Sequence, residues 1–274
     1  MLRVIFLKIR FSLMILGYLA AFSAQAFDWA PDLKWGLNGR TYPVGLQAFG
    51  AAGIGLPLWG STDQWKYGYL RLGANLASSA VVNRAGYELQ LFPISILGLS
   101  YGWDTGTRNY TPKFINCSIY ECNGRVDRSF WKGHFIAAYQ GVIFSMTGRY
   151  EKLESFRSSK PFFDELTLLS GQSAGEHLLT LNPLLLYKWD ETWKFGWLSI
   201  YAHALDSGGH SHLYGPIVAW SNPDRVNVAG GIGINESSLI HTAISAFFTI
   251  QFTLEPSLAV ADMIQREKIY SSLF

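Results

Sequence analysis

The residues of this chain whose types could do chemistry are most concentrated around position 210. Asp206 is followed by a serine and two glycines, and then by His210, Ser211 and His212. Serine, histidine and a carboxylate form hydrolytic triads, which are defined by geometry rather than by order along the chain. A glycine- and serine-rich segment is also typical of a polar turn between strands, which needs no chemical role. His210, Ser211, His212 and Asp206 are therefore weak catalytic candidates, and a turn is the simpler interpretation.

The two cysteines, Cys117 and Cys122, lie five positions apart. An exported chain meets an oxidising compartment, so we expect them to form a small disulfide loop. Two cysteines without clustered histidine or aspartate make a poor metal site. We therefore predict neither a metal nor another cofactor.

The first 26 residues have the pattern of an export signal. Three basic residues precede an apolar stretch at 12–22, and Ala24 and Ala26 stand where a signal peptidase requires small side chains. The apolar stretch is too short for a membrane-spanning helix, which needs about 20 residues. We expect cleavage that leaves a mature chain starting at Phe27.

The composition excludes some classes of protein. Charged residues make up 15% of the chain and aromatic residues another 15%, whereas soluble domains average about 25% charged residues. Without its basic signal the chain is close to neutral, so no basic surface for nucleic acid is expected. Residues 27–274 have the length of one domain and contain no linker-like segment.

The elements that must position any site are strands. Between 244 and 254 the even positions are apolar and most odd ones are polar, which gives a strand one apolar and one polar face. The competing interpretation is that 41–62 and 237–254 are membrane-spanning helices. The first segment contains two prolines, however, and the polar residues of the second recur at every second position, which is the period of a strand. Ten strands are predicted, at 42–58, 65–78, 85–101, 130–151, 162–169, 177–189, 193–205, 212–221, 225–235 and 244–254.

The links between these strands predict an alternating arrangement. Short links at 79–84, 190–192 and 222–224 are expected on one side, and the long link at 102–129 on the other. The link at 152–161 is longer than this scheme expects. Residues 27–41 are expected to precede the first strand.

Together, the signal, the alternating segments, the link lengths and the terminal Phe274 resemble bacterial outer-membrane β-barrel proteins, over nearly the whole mature chain. The resemblance implies an all-β fold, a single antiparallel up-and-down transmembrane barrel of about ten strands (ten to twelve). It also implies short links and residues 27–41 in the periplasm, contact with outer-membrane lipid, and a barrel assembly machinery that reads the C-terminal aromatic. Residues 256–274 are then a tail, a short helix or a final irregular strand.

Polar residues on the inner face of such a barrel would line its lumen. The predicted lumen-facing residues are Arg71, Asn75, Glu88, Gln90, Lys132, His134, Arg225, Asn227 and Gln251. They carry both signs of charge, and a narrow barrel is filled by its own side chains, so we expect many of them to pair.

Three functions remain open. The first is a narrow channel or a structural or surface-binding protein of the outer membrane, with no specific substrate predicted. The second is an outer-membrane enzyme that acts on lipid or peptide at the extracellular rim. The third is a secreted soluble β-barrel that binds an apolar ligand.

Overall fold

The alternating segments pair with their neighbours along the chain and close on themselves. The computed structural model describes residues 29–255 and Leu258, apart from gaps at 43, 61–65, 80, 109–115, 117, 122–123, 156–159, 165–166, 168, 174, 223–225 and 240–241. Within these residues a closed antiparallel barrel runs in chain order, and β1 pairs with β14 to close it. Its twelve strands are β1 (Ala30–Thr41), β2 (Val44–Trp59), β3 (Gly68–Ser79), β4 (Val82–Ile94), β5 (Leu97–Arg108), β6 (Gly124–Tyr139), β7 (Val142–Ser155), β10 (Glu176–Lys188), β11 (Trp193–Ala204), β12 (His210–Ser221), β13 (Val226–Ser237) and β14 (Ala243–Glu255). Two short strands outside the barrel, β8 (Phe162–Asp164) and β9 (Leu169–Gly171), pair with each other between β7 and β10.

The predicted closed antiparallel barrel is confirmed, with twelve strands rather than about ten. The predicted strand at 85–101 covers two strands, β4 and β5, and the one at 130–151 covers β6 and β7. Residues 27–41 were expected to lie before the barrel, but Ala30–Thr41 is its first strand. The predicted strand at 162–169 lies in the separate β8–β9 pair.

The turn between β6 and β7 explains one of these errors. Gln140 and Gly141 both have positive φ, at 46° and 82°, as a two-residue type I′ hairpin turn requires. Outward residues are odd-numbered before this turn and even-numbered after it, because Tyr139 pairs with Val142. That change of phase is the signature of a hairpin, and not of a bulge within one long strand.

The turn between β4 and β5 leaves no such signature. The pairing of these strands shifts between Leu91 and Ile94, so one strand carries an irregularity close to the turn at 95–96. This irregularity restores the phase, and the outward residues are odd-numbered on both sides. Alternation alone therefore does not detect this turn and predicts one continuous strand.

The two missed turns and the missed first strand change the assignment of the links. We call the end where β1 begins and β14 ends the terminus end, and the opposite end the loop end. The long links, 109–123 and 156–175, join strands that end and begin at the loop end, as does the short link 80–81. The prediction that 79–84 shares a side with 190–192 and 222–224 is wrong, and the long link near 152–161 no longer conflicts with the pattern.

The outer face is apolar and the inner face is largely polar. On the seam that closes the barrel, the outward rings of Trp35 and Phe252 stack with their centroids 4.4 Å apart. Of the segments considered as helical spans, 41–62 contains β2 and 237–254 contains most of β14. Among the described residues, no helix is long and apolar enough to cross a membrane.

Several predictions fall outside the described residues. These are the signal segment with its cleavage before Phe27, the disulfide between Cys117 and Cys122, the lumen position of Arg225, and the form of residues 256–274 other than Leu258.

Candidate functional site

The inner face of β3–β7 carries most of the buried charge, and we call it the charged wall. Near the terminus end, Arg71 on β3 reaches across β2 to Asp32 on β1 and donates two hydrogen bonds, of 2.6 and 2.5 Å, to its carboxylate. Both side chains are almost fully buried. Gly53 and Gly73 make this reach possible, because a Cβ at either position would collide with the guanidinium.

A second group of polar side chains lies midway along the charged wall. Lys132 Nζ donates a 2.8 Å hydrogen bond to Glu88 Oε2. On the neighbouring positions, Ser100 Oγ and His134 Nε2 lie 3.1 Å apart, and the imidazole stacks on Phe92 with 5.7 Å between ring centroids. The charges of Glu88 and Lys132 are thus paired within the charged wall.

Asp104 is the centre of a third group, nearer the loop end. Arg84, Arg128 and Arg149 each place a guanidinium nitrogen 3.2 Å from its carboxylate. Arg149 also contacts Glu151 at 3.1 Å. Charge-assisted, multiply bonded arginines of this kind hold their side chains in fixed positions.

Arg128 also anchors the β8–β9 hairpin inside the mouth of the barrel. Its second nitrogen donates a 2.5 Å hydrogen bond to Asp164 of the hairpin. Burial by itself would raise the pKa of Asp164, but the positive charges of Arg128 and Arg84 and hydrogen bonds from Thr167 lower it well below its usual range. Asp164 is therefore an anion that remains charged at any physiological pH.

Apolar contacts complete the attachment of the hairpin. Phe162 and Leu169 are almost fully buried, and they pack against inward side chains such as Leu153, Leu178 and Ala204. These partners belong to β7, β10 and β11. The hairpin therefore covers the loop end on one side of the lumen.

A different apolar cluster narrows the terminus end on the same side. The carbonyl of Leu258, beyond β14, accepts a 2.5 Å hydrogen bond from the Tyr67 hydroxyl. Tyr69 stacks on Tyr67 and on Phe92, with centroid distances of 5.9 and 4.5 Å. Leu258, these rings and Ile143 form one buried group.

The opposite side of the lumen is built differently. The inward residues of β11–β14 are mostly small or apolar, and we call this face the small-residue wall. It includes Gly196, Gly215, Ala219, Ala229, Gly231 and Gly233. Beside it, on β1, Asn38 is solvent-exposed although it faces inward, and its Oδ1 accepts a 2.6 Å hydrogen bond from Thr249 of β14.

The strand register places the predicted lumen residues on the inner face wherever the structure describes them. Those residues are Arg71, Asn75, Glu88, Gln90, Lys132, His134, Asn227 and Gln251. The register brings Glu88 and Lys132 together and leaves Asn227 beside Gln251 on the small-residue wall. It does not make one cluster of all eight.

The catalytic candidates around position 210 do not converge. Ser211 faces inward opposite Ala202, whereas His212 faces outward opposite Tyr201. Asp206 accepts hydrogen bonds from the backbone and ring of His177, both at 2.8 Å. These hydrogen bonds lower its pKa, in spite of a small opposing effect of burial. A triad of Asp206, Ser211 and a neighbouring histidine is therefore excluded by geometry.

His212 has a different serine partner, which the sequence did not indicate. Its Nε2 lies 2.8 Å from the Oγ of Ser199 on β11. The two residues are thirteen positions apart and meet only because β11 and β12 form a hairpin in a specific register. Knowledge of that register, rather than any motif, would have found the pair.

No group of three or more metal-ligating side chains occurs among the described residues. The chain matches no family model, and no curated protein of similar sequence was found. Solved structures with a similar barrel include the β domain of the Bordetella autotransporter BrkA, with 11% identity and a TM-score of 0.42 over 82% of this chain and 98% of that one. The KdgM porin has 10% identity and a TM-score of 0.43 over 81% and 98%. The translocator domain of autotransporter NalP from Neisseria meningitidis has 13% identity and a TM-score of 0.38 over 89% and 96%.

Proposed function

We propose that the protein is a narrow channel of the bacterial outer membrane, with its passage displaced towards the small-residue wall. The observation that carries this proposal is the solvent exposure of Asn38, an inward polar side chain on β1. A barrel filled throughout its cross-section would bury such a group. We therefore place water in the interior beside β1 and β14, away from β7, β10 and β11, against which the β8–β9 hairpin packs.

The outer surface supports a membrane location over a soluble one. Large apolar side chains are exposed all around the barrel, among them Leu72, Trp131, Trp197, Ile232 and Ile244, each with about half or more of its surface accessible. Soluble monomers rarely expose contiguous apolar patches above a few hundred Å². A membrane barrel, by contrast, needs an apolar band flanked by aromatic residues. Outer-membrane lipid is therefore the proposed surroundings, and the barrel assembly machinery the proposed partner in biogenesis.

The proposed orientation places the terminus end in the periplasm and the loop end outside. Outer-membrane barrels have short periplasmic turns and longer extracellular loops. The turns 95–96 and 140–141 at the terminus end are short, and the links 109–123 and 156–175 at the loop end are long. In this orientation the β8–β9 hairpin lies at the extracellular opening of the barrel.

The interior charges favour anions as the permeating solutes. Among the described inward residues and the hairpin, basic side chains outnumber acidic ones. The basic ones are Lys34, Arg40, Arg71, Arg84, Arg108, Arg128, Lys132, Arg149, Lys188 and Lys194, and the acidic ones are Asp32, Glu88, Asp104, Glu151, Asp164 and Glu176. An excess of one sign in a narrow, low-dielectric passage concentrates counter-ions of the other sign.

Single-channel recording in planar bilayers tests this function. The wild type should show a small conductance, and its reversal potential in a salt gradient should indicate anion preference. Ala229→Trp should lower the conductance strongly, because the new ring projects from the small-residue wall into the passage. Removal of 162–171, with a short Gly-Ser link in its place, should raise it.

A matched control places the same ring on the other face. Ile232→Trp points outward, where 61% of the native side chain is already exposed, and should leave the conductance unchanged. If the wild type and the hairpin deletion both fail to conduct while folding and inserting normally, the channel function is wrong, and a structural or surface-binding role takes its place.

A further inference from the structure

A cluster of polar and aromatic side chains interrupts the apolar outer face near the loop end of β11, β12 and β13. Ser199, Tyr201 and His203 alternate outward along β11, and they lie opposite Tyr214, His212 and His210 of β12. Glu236 of β13 lies opposite His212. Polar groups on a lipid-facing surface are costly, so their concentration in one place needs a reason.

The centre of this cluster is the pair formed by Ser199 and His212. The 2.8 Å contact between Oγ and Nε2 is within the range expected of a nucleophile and its general base. Both side chains are only partly buried, so a substrate can approach from the outside. Tyr201 contacts the imidazole edge-on at 5.8 Å between centroids, and Tyr214 lies at 4.5 Å. These rings fix the plane of the imidazole.

A carboxylate is placed behind the histidine. Directly opposed side chains on antiparallel strands have Cβ atoms about 4.5–5.5 Å apart, which puts Glu236 within reach of the imidazole from the side opposite Ser199. In the present structure Glu236 Oε1 accepts a 3.2 Å hydrogen bond from the Tyr214 hydroxyl. Serine, histidine and acid thus lie on three consecutive strands, in the order nucleophile, base and orienting group.

The outer surface next to Ser199 and His212 is polar on one side and apolar on the other, as a lipid molecule is. Towards the loop end lie His203, His210 and the turn 205–209, which are polar. Towards the middle of the barrel lie Trp197, Pro216 and Ile234, which are exposed and apolar. A lipid with its acyl chain along the apolar residues would place its ester carbonyl at the boundary, where Ser199 is.

We propose that Ser199 and His212 are a catalytic pair that hydrolyses acyl esters of membrane lipids, which reach it laterally from the bilayer. This activity lies on the outside of the barrel and does not depend on the proposed channel. Glu236 is a positioning residue, because it acts through His212 and does not touch the substrate.

The reaction needs no component other than water. Ser199 Oγ attacks the acyl carbonyl while His212 Nε2 takes the serine proton, and the C–O bond to the alcohol then breaks as His212 returns that proton to the leaving oxygen. A water molecule gives a proton to His212 and attacks the acyl-serine, and the serine oxygen leaves with that proton. The products are one alcohol and one fatty acid.

The barrel contains a second serine–histidine pair that serves as an internal control. Ser100 and His134 lie 3.1 Å apart, but Ser100 is 1% exposed and the imidazole is stacked beneath Phe92. No substrate carbonyl can reach this serine from either side of the sheet. The distance between serine and histidine is thus similar in the two pairs, and it is the access of a substrate that distinguishes them.

The test uses purified full-length protein and three probes. A fluorophosphonate reports a nucleophilic serine, p-nitrophenyl butyrate reports ester hydrolysis without a membrane, and phosphatidylcholine vesicles report release of fatty acid from a bilayer. Ser199→Ala and His212→Ala should each lower hydrolysis by at least about 100-fold, the low end of a general base's contribution. Ser199→Ala should also abolish labelling. Ser100→Ala and Ser211→Ala should leave both unchanged.

The positioning role of Glu236 has its own readout. Glu236→Gln should lower kcat with little change in KM and should shift the pH profile of the rate, whereas Glu236→Asp should restore part of the activity. Folding is checked by the barrel's resistance to denaturation in detergent. If the folded wild type is neither labelled nor active on any probe, the pair is only a cross-strand hydrogen bond and the proposal is overturned. Activity on the butyrate ester but not on vesicles would overturn the lipid substrate.

Discussion

The two sides of the lumen differ in what fills them. The charged wall, β3–β7, uses long side chains, and some of their ion pairs connect strands two apart, as between Asp32 on β1 and Arg71 on β3. The small-residue wall, β11–β14, offers glycine and alanine at the corresponding depth. The first side carries cross-strand ion pairs, whereas the second has small inward side chains, and the proposed passage lies along it.

The two walls separate stability from function in the barrel. Buried ion pairs stabilise only when every partner is present, since each charge loses its hydration on burial. The charged wall therefore behaves as one unit, which holds the hairpin at the mouth. The small-residue wall is held by separate hydrogen bonds, such as the one that Asn235 donates to the backbone carbonyl of Tyr42, so we expect single changes of its inner side chains to cost less stability.

The largest effect is expected from breaking the charged wall at its centre. Arg128→Met removes the partner shared by Asp104 and Asp164, and loss of one member of a buried network typically costs about 3–5 kcal/mol. The free energy of unfolding, measured by urea titration in detergent or lipid, should fall by that order. Conductance should also rise, because the hairpin loses its anchor.

The matched change, beside the small-residue wall, is Asn38→Ala on β1. It removes the hydrogen bond from Thr249 at an exposed position, which is worth about 1 kcal/mol or less. Equal losses of stability from Arg128→Met and Asn38→Ala would contradict the assignment of stability to one wall.

The part of this arrangement that the sequence predicts is the part that shows as periodicity. Alternation predicted ten segments that together overlap thirteen of the fourteen described strands, because an apolar outward face and a polar inward face are a local property of each strand. It missed β1, where Asp32, Lys34 and Arg40 alternate with Leu33, Trp35 and Leu37 as clearly as in any other strand. That error came from treating the residues after the signal as a leader, although their pattern was correct.

The candidate sites were beyond the reach of periodicity. Ser199 joins His212 only through the register of two strands, and Asp164 joins Arg128 only because the β8–β9 hairpin folds back into the lumen. Neither contact leaves a local trace, since cross-strand partners are set by turn geometry and by long-range packing. The sequence did suggest the adjacent residues Ser211 and His212, but successive side chains of a strand point to opposite faces, so these two cannot act together.

The next largest effect compares the two faces of one strand. Ile250→Arg puts a charge on the lipid-facing side of β14 near its middle, which costs about 2–4 kcal/mol at the bilayer midplane. Thr249→Arg, one residue away, points to the inner face of the barrel, along which we propose the passage, and should cost much less. The free energy of folding into lipid vesicles measures both. Similar losses for the two variants would mean that the strand is wetted or lipid-exposed on both faces.

The smallest effect is expected from mild acid, and it tests what kind of contact anchors the hairpin. Because the pKa of Asp164 in the fold is lowered below its ordinary value of about 3.9, its contribution to stability is fully present above that value and is lost only as the pH falls through the lowered pKa. Between pH 7 and pH 5, protease access to the hairpin and channel conductance should therefore stay constant. An anchor that depended on a protonated histidine would instead weaken as the pH rose through about 6.5, so a change centred there would assign the hairpin's attachment to an imidazole and not to the Arg128–Asp164 pair.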